Sequence, residues 1–139
     1  MRVFQTLALL LLVLGDRAQP AESGPNVIAL SCVGMLTATY GANKPEAPKP
    51  LQETGLVVNL DEQTVFFLGY VIPIESVGEA SIKFGGMQTV DYGFAVAITG
   101  NIDRASGRMG ATVVLSDPTQ QPTDTATIRY DVVCKPSSG

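Results

Sequence analysis

Two cysteines, thirteen carboxylates and no histidine set the chemistry open to this chain. Without an imidazole there is no Ser-His or Cys-His nucleophile pair, no histidine base and no His-bearing zinc site. Paired carboxylates could still work as they do in glycosidases. Here, however, Asp61 and Glu62 are neighbours in a polar turn, and Asp91 and Asp124 stand where strands begin. None forms an inward-facing pair. The expectation is a non-catalytic protein without a cofactor, with a carboxylate-based enzyme as the remote alternative. Cys32 and Cys134 lie too far apart in sequence for a Cys-x-x-Cys redox or metal motif. In an exported chain such an even pair reads as a structural disulfide.

Two polar turns could offer hard oxygens to a cation. Asn59-Leu60-Asp61-Glu62-Gln63-Thr64 and Asn101-Ile102-Asp103-Arg104-Ala105-Ser106 share an Asn-x-Asp core with a hydroxyl residue three positions after the aspartate. Neither has the spaced carboxylates or the closing glutamate of a calcium loop. The expectation is therefore turn chemistry and no metal. Asp61, Thr64, Asp103 and Ser106 serve as turn residues, Asp61 bonds turn amides, and Gly107 takes a left-handed backbone position.

Strands must position these residues. Residues 124–135 alternate, with Ala126, Ile128, Tyr130, Val132 and Cys134 on one face and Thr127, Arg129 and Asp131 on the other, the two-residue period of a half-buried strand. Residues 27–40 alternate likewise, placing Ile28, Leu30, Cys32, Leu36, Ala38 and Tyr40 together with Gly34. Residues 41–55, with Pro45, Pro48 and Pro50, read as an exposed excursion. Residues 56–60 and 65–74 form a hairpin, and 80–84 form a strand that Gly85-Gly86 ends. Residues 92–102 and 109–116 make a second hairpin around the 103–107 turn. No stretch shows sustained helical periodicity. The fold class is all-β: an antiparallel meander of seven or eight strands, closed or nearly closed into a barrel, with a β-sandwich as alternative. Closure needs the first and last strands to pair, and a disulfide between Cys32 and Cys134 requires that same neighbourhood.

Residues 1–23 read as a secretory signal peptide, with Arg2 followed by an apolar run at 7–14 that is far short of the ~20 residues a membrane-spanning helix needs. Residues 24–139 then form one domain, periplasmic or secreted, with no permanent membrane anchor. The net charge of −4 and the lack of any basic run remove nucleic acid from the partner classes.

Cys32 with Gly34, the stretch Gly100-Asn101-Ile102-Asp103-Arg104-Ala105-Ser106-Gly107, Tyr130 and the pair Cys134-Lys135 together resemble a set of small exported β-proteins of alphaproteobacteria, rhizobial ones especially. That set carries a Gly-x-Ile-Asp-Arg-x-Thr-Gly hairpin near the same place; this chain has Ala105-Ser106 where Val-Thr is commoner. The resemblance implies bacterial origin, export and a terminal disulfide, and it implies no activity.

Apolar side chains beyond the needs of one core point to function. Both faces of 65–74 are apolar, and so is the outer face of 27–35, which makes Val33, Met35, Val65, Phe67 and Val71 a candidate contact surface. The expected role is binding of a protein partner or a small apolar ligand. Two alternatives stand beside it: inhibition of an exported hydrolase by a protruding 41–55 loop, and a structural homo-oligomer.

Overall fold

The structure, a computed structural model, describes residues 26–89, 93–117, 119 and 124–137. The expected signal peptide at 1–23, Asp91 and Tyr92 lie outside the described residues. Eight strands follow one another: β1 (Val27–Tyr40), β2 (Lys49–Asn59), β3 (Thr64–Phe67), β4 (Tyr70–Val77), β5 (Ser81–Thr89), β6 (Ala95–Asp103), β7 (Arg108–Asp117) and β8 (Asp124–Pro136). Each pairs antiparallel with the next, and β8 returns to β1, so the sheet closes into an up-and-down barrel. The barrel, rather than the sandwich, is the architecture.

The closing seam runs from Leu30 opposite Pro136 to Tyr40 opposite Ala126, and it sets Cys32 directly opposite Cys134. Their Cα atoms are 4.0 Å apart and their sulfurs are bonded. Gly34, two residues on, faces Val132, and a Cβ there would run into the backbone of Asp131 and Val132. A side chain at that position would push the two strands apart beside the disulfide.

Alternation on each strand sends one set of side chains inward. Leu56, Val58, Val65, Phe67, Ile72, Phe84, Val96, Ile98, Met109 and Val132 are nearly or fully buried. The widest rings meet in the middle. Phe67 and Tyr130 form an edge-to-face pair with centroids 5.6 Å apart at 80°. Phe84 sits opposite Gly100, whose missing side chain leaves room for the phenyl ring. Large and small inward residues thus interlock in the barrel centre.

Four sequence expectations need correction. Residues 65–74 are not one strand, because Leu68 and Gly69, with φ of 56° and 84°, make a two-residue turn between β3 and β4. Such a turn pairs Phe66 with Val71 and Val65 with Ile72, so face parity inverts across it. Val65 and Phe67 therefore lie wholly in the core, while Val71 is 58% exposed beside the outward Phe66. The proline-rich excursion ends at Pro48, since Lys49 and Pro50 already pair with Leu36 and Met35. Pro50 is tolerated there because the pairing of β2 with β3 spans only Leu56 to Asn59, leaving this part of β2 with one described strand neighbour. Gly85-Gly86 does not end its strand, and β5 runs on to Thr89. A Cβ on Gly86 would fall 2.8 Å from Pro73 Cδ, so this glycine admits a close approach of β4 rather than a turn. Finally, Asp61 does not hold the 59–64 turn: Asn59 Oδ1 accepts from the Glu62 amide at 3.0 Å, and Asp61 instead accepts from Asn26 Nδ2 at 2.8 Å.

Candidate functional site

Hydrogen-bonded registers set inward side chains at matching heights around the wall. Val96 faces Leu115, Leu115 faces Ala126, and Ala126 faces Tyr40, which makes one continuous row across β6, β7, β8 and β1. This row lines half of the wall, four strands of eight, at the end of the barrel where β1, β5 and β7 finish. Below it comes the row Ile98, Val113, Ile128 and Ala38, and below that Gly100, Ala111, Tyr130 and Leu36. The bulky rings fill the third row and leave the first to aliphatic side chains and Tyr40. A cavity of about 790 Å³ opens above them.

Val96, wholly buried, contributes to the lining, with Leu115 and Ala126 beside it. Tyr40, Tyr70 and Phe94 complete the apolar part, and Tyr40 and Phe94 remain 49% and 40% exposed. Tyr70 is placed by the β3–β4 turn, whose Leu68 packs on the core in a left-handed conformation costly for a branched side chain. Asn43, Ser116, Asp117 and Thr125 supply polar groups on one side. The Gly41 amide donates to the Thr125 carbonyl at 2.9 Å and the Glu46 amide to the Ala38 carbonyl at 2.8 Å, tying the 41–48 loop to the barrel. Asp117 accepts from both the amide and hydroxyl of Thr119, at 3.0 and 2.6 Å.

The opposite end differs. A cavity of about 480 Å³ lies over Ile28, Leu30, Val58, Ile82 and Ile102, with Arg104 and Lys135 among its lining residues. Its turns are short and internally bonded. Asp103 accepts from the amides of Ala105 and Ser106 at 2.9 and 3.0 Å, which hold its carboxyl below the usual aspartate range. Gly107 has φ of 79°, as expected, and its carbonyl accepts from the Cys134 amide at 2.8 Å. Ser106 Oγ accepts from the Arg108 amide, and Thr64 opens β3 opposite Asn59. Burial raises the Tyr130 phenol above its ordinary range.

Of the expected contact residues, Val33 (51% exposed) and Met35 (42%) do face outward, and Val133 stands opposite Val33 across the seam. Val71 lies on another part of the wall, next to Phe66, and Val65 and Phe67 belong to the core. The five residues are not one surface. The mouth residues Tyr40, Tyr70, Phe94 and Asp117 escaped sequence reasoning, although aromatics at inward positions beside long polar connections are a readable sign. Among the described residues no group of three or more His, Cys, Asp or Glu side chains could hold a metal ion.

The fold and the mouth define the class, an eight-stranded up-and-down barrel sealed by a disulfide between its first and last strands. No family model, curated protein or solved structure matches the chain.

Proposed function

We propose that this is an exported, non-catalytic binding protein whose barrel mouth takes a small, largely apolar ligand. The observation that carries the reading is the cavity of about 790 Å³ above a filled core, lined by Tyr40, Tyr70, Phe94, Val96, Leu115 and Ala126. Eight strands enclose an interior that side chains just fill or that holds one small ligand, and ligand pockets run to about 300–1,000 Å³. The disulfide accords with an oxidising compartment, which supports export to the periplasm or medium. The absence of histidine supports the non-catalytic part.

Calorimetric titration with a soluble apolar probe such as octanol tests the reading. Saturable binding is expected, and Ala126→Phe, which puts a ring into the lining, should abolish it while the melting transition persists. Binding unaffected by Ala126→Phe would remove the mouth as the site. The outward Val33, Met35 and Val133 favour a second reading, a contact for a protein partner or a second copy of the chain. Val33→Lys together with Met35→Lys should then abolish capture of a partner, or self-association in sedimentation, without touching ligand binding.

A further inference from the structure

The described aromatic side chains divide by what they touch. Phe67 and Tyr130 pair edge to face in the core, Phe84 lies over Gly100, and Phe66 stands on the outer wall. Tyr40, Tyr70 and Phe94 all line the larger cavity, and among the described residues none of them pairs with another ring. They come from different parts of the wall. Tyr40 ends β1, Tyr70 opens β4 and Phe94 immediately precedes β6, so three, two and three strand steps separate them around the closed sheet. A ring entering the cavity therefore meets aromatic side chains from three directions. Across the seam from Tyr40, Ala126 contributes only a methyl group to the lining.

Depth limits the ligand as well. Beneath the mouth the next row is aliphatic, and at the third level Phe84 and Tyr130 fill the interior around Gly100 and Ala111. A long alkyl chain finds no tunnel to descend, whereas a compact ring system can occupy the space above. Ser116 and Thr125 stand opposite each other on β7 and β8, and with Asn43 they line the same cavity. The side chains of all three bond to no described residue. Amide and hydroxyl groups both donate and accept, which suits a hydroxyl on the ligand.

We propose that the mouth selects a planar aromatic molecule carrying a hydroxyl group. Its ring lies among Tyr40, Tyr70 and Phe94, and its hydroxyl turns toward Asn43, Ser116 and Thr125. Ring pairs in edge-to-face or offset contact attract beyond the area they bury, and a saturated molecule of the same skeleton lacks that attraction. The inference rests on the mouth being the binding site, and the test separates the two claims.

Naphthol and decahydronaphthol share a carbon skeleton and a hydroxyl, and only the first is aromatic. In calorimetric titration naphthol should bind about tenfold tighter. Phe94→Leu and Tyr40→Leu each keep an apolar side chain and remove a ring, and each should cut that ratio several-fold while the melting transition persists. Methylnaphthalene, with a methyl in place of the hydroxyl, should bind more weakly than naphthol despite its larger apolar surface. Equal or tighter binding of decahydronaphthol, or a preference that survives the loss of both rings, overturns the inference and leaves the mouth an apolar site. Methylnaphthalene binding as tightly as naphthol overturns the place given to the hydroxyl. Naphthol binding that Ala126→Phe leaves intact overturns the inference by placing the ring outside the mouth, and octanol binding without either bicyclic alcohol overturns it in favour of a chain. Failure of octanol and of every bicyclic compound to bind overturns the mouth reading itself.

Discussion

The two ends of this barrel are built by opposite rules. At the smaller opening, residues 60–63 and 104–107 close hairpins in a few residues, and side chains hold each turn. Asn26 bonds Asp61, the Arg104 guanidinium bonds the Gly78 carbonyl at 2.9 Å, and Gly107 packs against the backbone of Cys134. At the mouth more residues separate the strands, at 41–48, 90–94 and 118–123, while β3 and β4 are joined by the two-residue turn 68–69. One end spends its polar groups on its own backbone, and the other presents aromatic and polar side chains around a cavity. Stability should therefore concentrate at the closed end and ligand binding at the mouth, and substitutions can pull the two apart.

The largest effect should come from the disulfide. It closes a loop with a sequence separation of 102, and removing such a bond from a small exported domain costs about 2–5 kcal/mol. Cys32→Ala with Cys134→Ala should lower the urea midpoint accordingly. Amide exchange should rise along the β1–β8 seam more than along the β6–β7 hairpin. Equal loosening of both would show that the barrel wall acts as one unit and would weaken the contrast between regions.

Gly107 comes next. A side chain there faces positive φ, a cost of about 1–3 kcal/mol, and its Cβ would also be driven into the Cys134 carbonyl oxygen. Gly107→Ala should thus destabilise by that amount or more in urea unfolding, with the 103–107 turn and the neighbouring end of β8 the first to exchange. Gly100→Ala displaces the buried Phe84 ring and should cost about 1–3 kcal/mol by overpacking. Since Gly100 lies two rows beneath the mouth, its substitution should leave ligand affinity nearly unchanged.

Much of the closed end was legible in the sequence. Alternation along 27–40, 92–102 and 124–135 identifies inward faces, and the two cysteines point to the seam. Asp103 and Gly107 announce their turn by residue type. The 68–69 turn was not legible, because two-residue hairpins usually advertise themselves with Asn-Gly or Asp-Gly, and here a leucine takes the left-handed position. Missing that turn turned Val65 and Phe67 outward on paper. The mouth was hidden for another reason. Alternation reports which face a side chain occupies and says nothing of its height in the barrel. Tyr40, Val96, Leu115 and Ala126 become one row only through the registers between strands, including that of β8 with the distant β1.

At the mouth the order of effects should reverse. Phe94 is 40% exposed, so Phe94→Ala should change stability by about 0.5 kcal/mol or less, the usual range for surface sites. The same change removes part of the cavity lining and should weaken binding of an apolar probe several-fold in calorimetry. If Phe94→Ala destabilised the fold as much as Gly100→Ala does, the mouth would be part of the core and the division between the ends would fail.

The smallest predicted effect separates the ends by pH. The amides of Ser106 and Ala105 hydrogen-bond the Asp103 carboxylate and depress its pKa in the folded chain. A group whose folded value is depressed contributes stability above its unfolded value and loses it as pH falls through the folded one. The contribution of Asp103 is therefore complete at neutral pH and fades in the acid range, beginning near the ordinary aspartate value. Because Asp103 is fully exposed, water screens the interaction and the effect should be slight. In Asp103→Asn the amide oxygen can still accept from Ala105 and Ser106, but it no longer titrates. The stability difference between the two proteins, read from urea midpoints, should therefore narrow on acidification, while probe affinity at the mouth stays equal in both at every pH. A gap that stayed constant through the acid range would assign the turn's stability to geometry alone and remove charge from the account of the closed end.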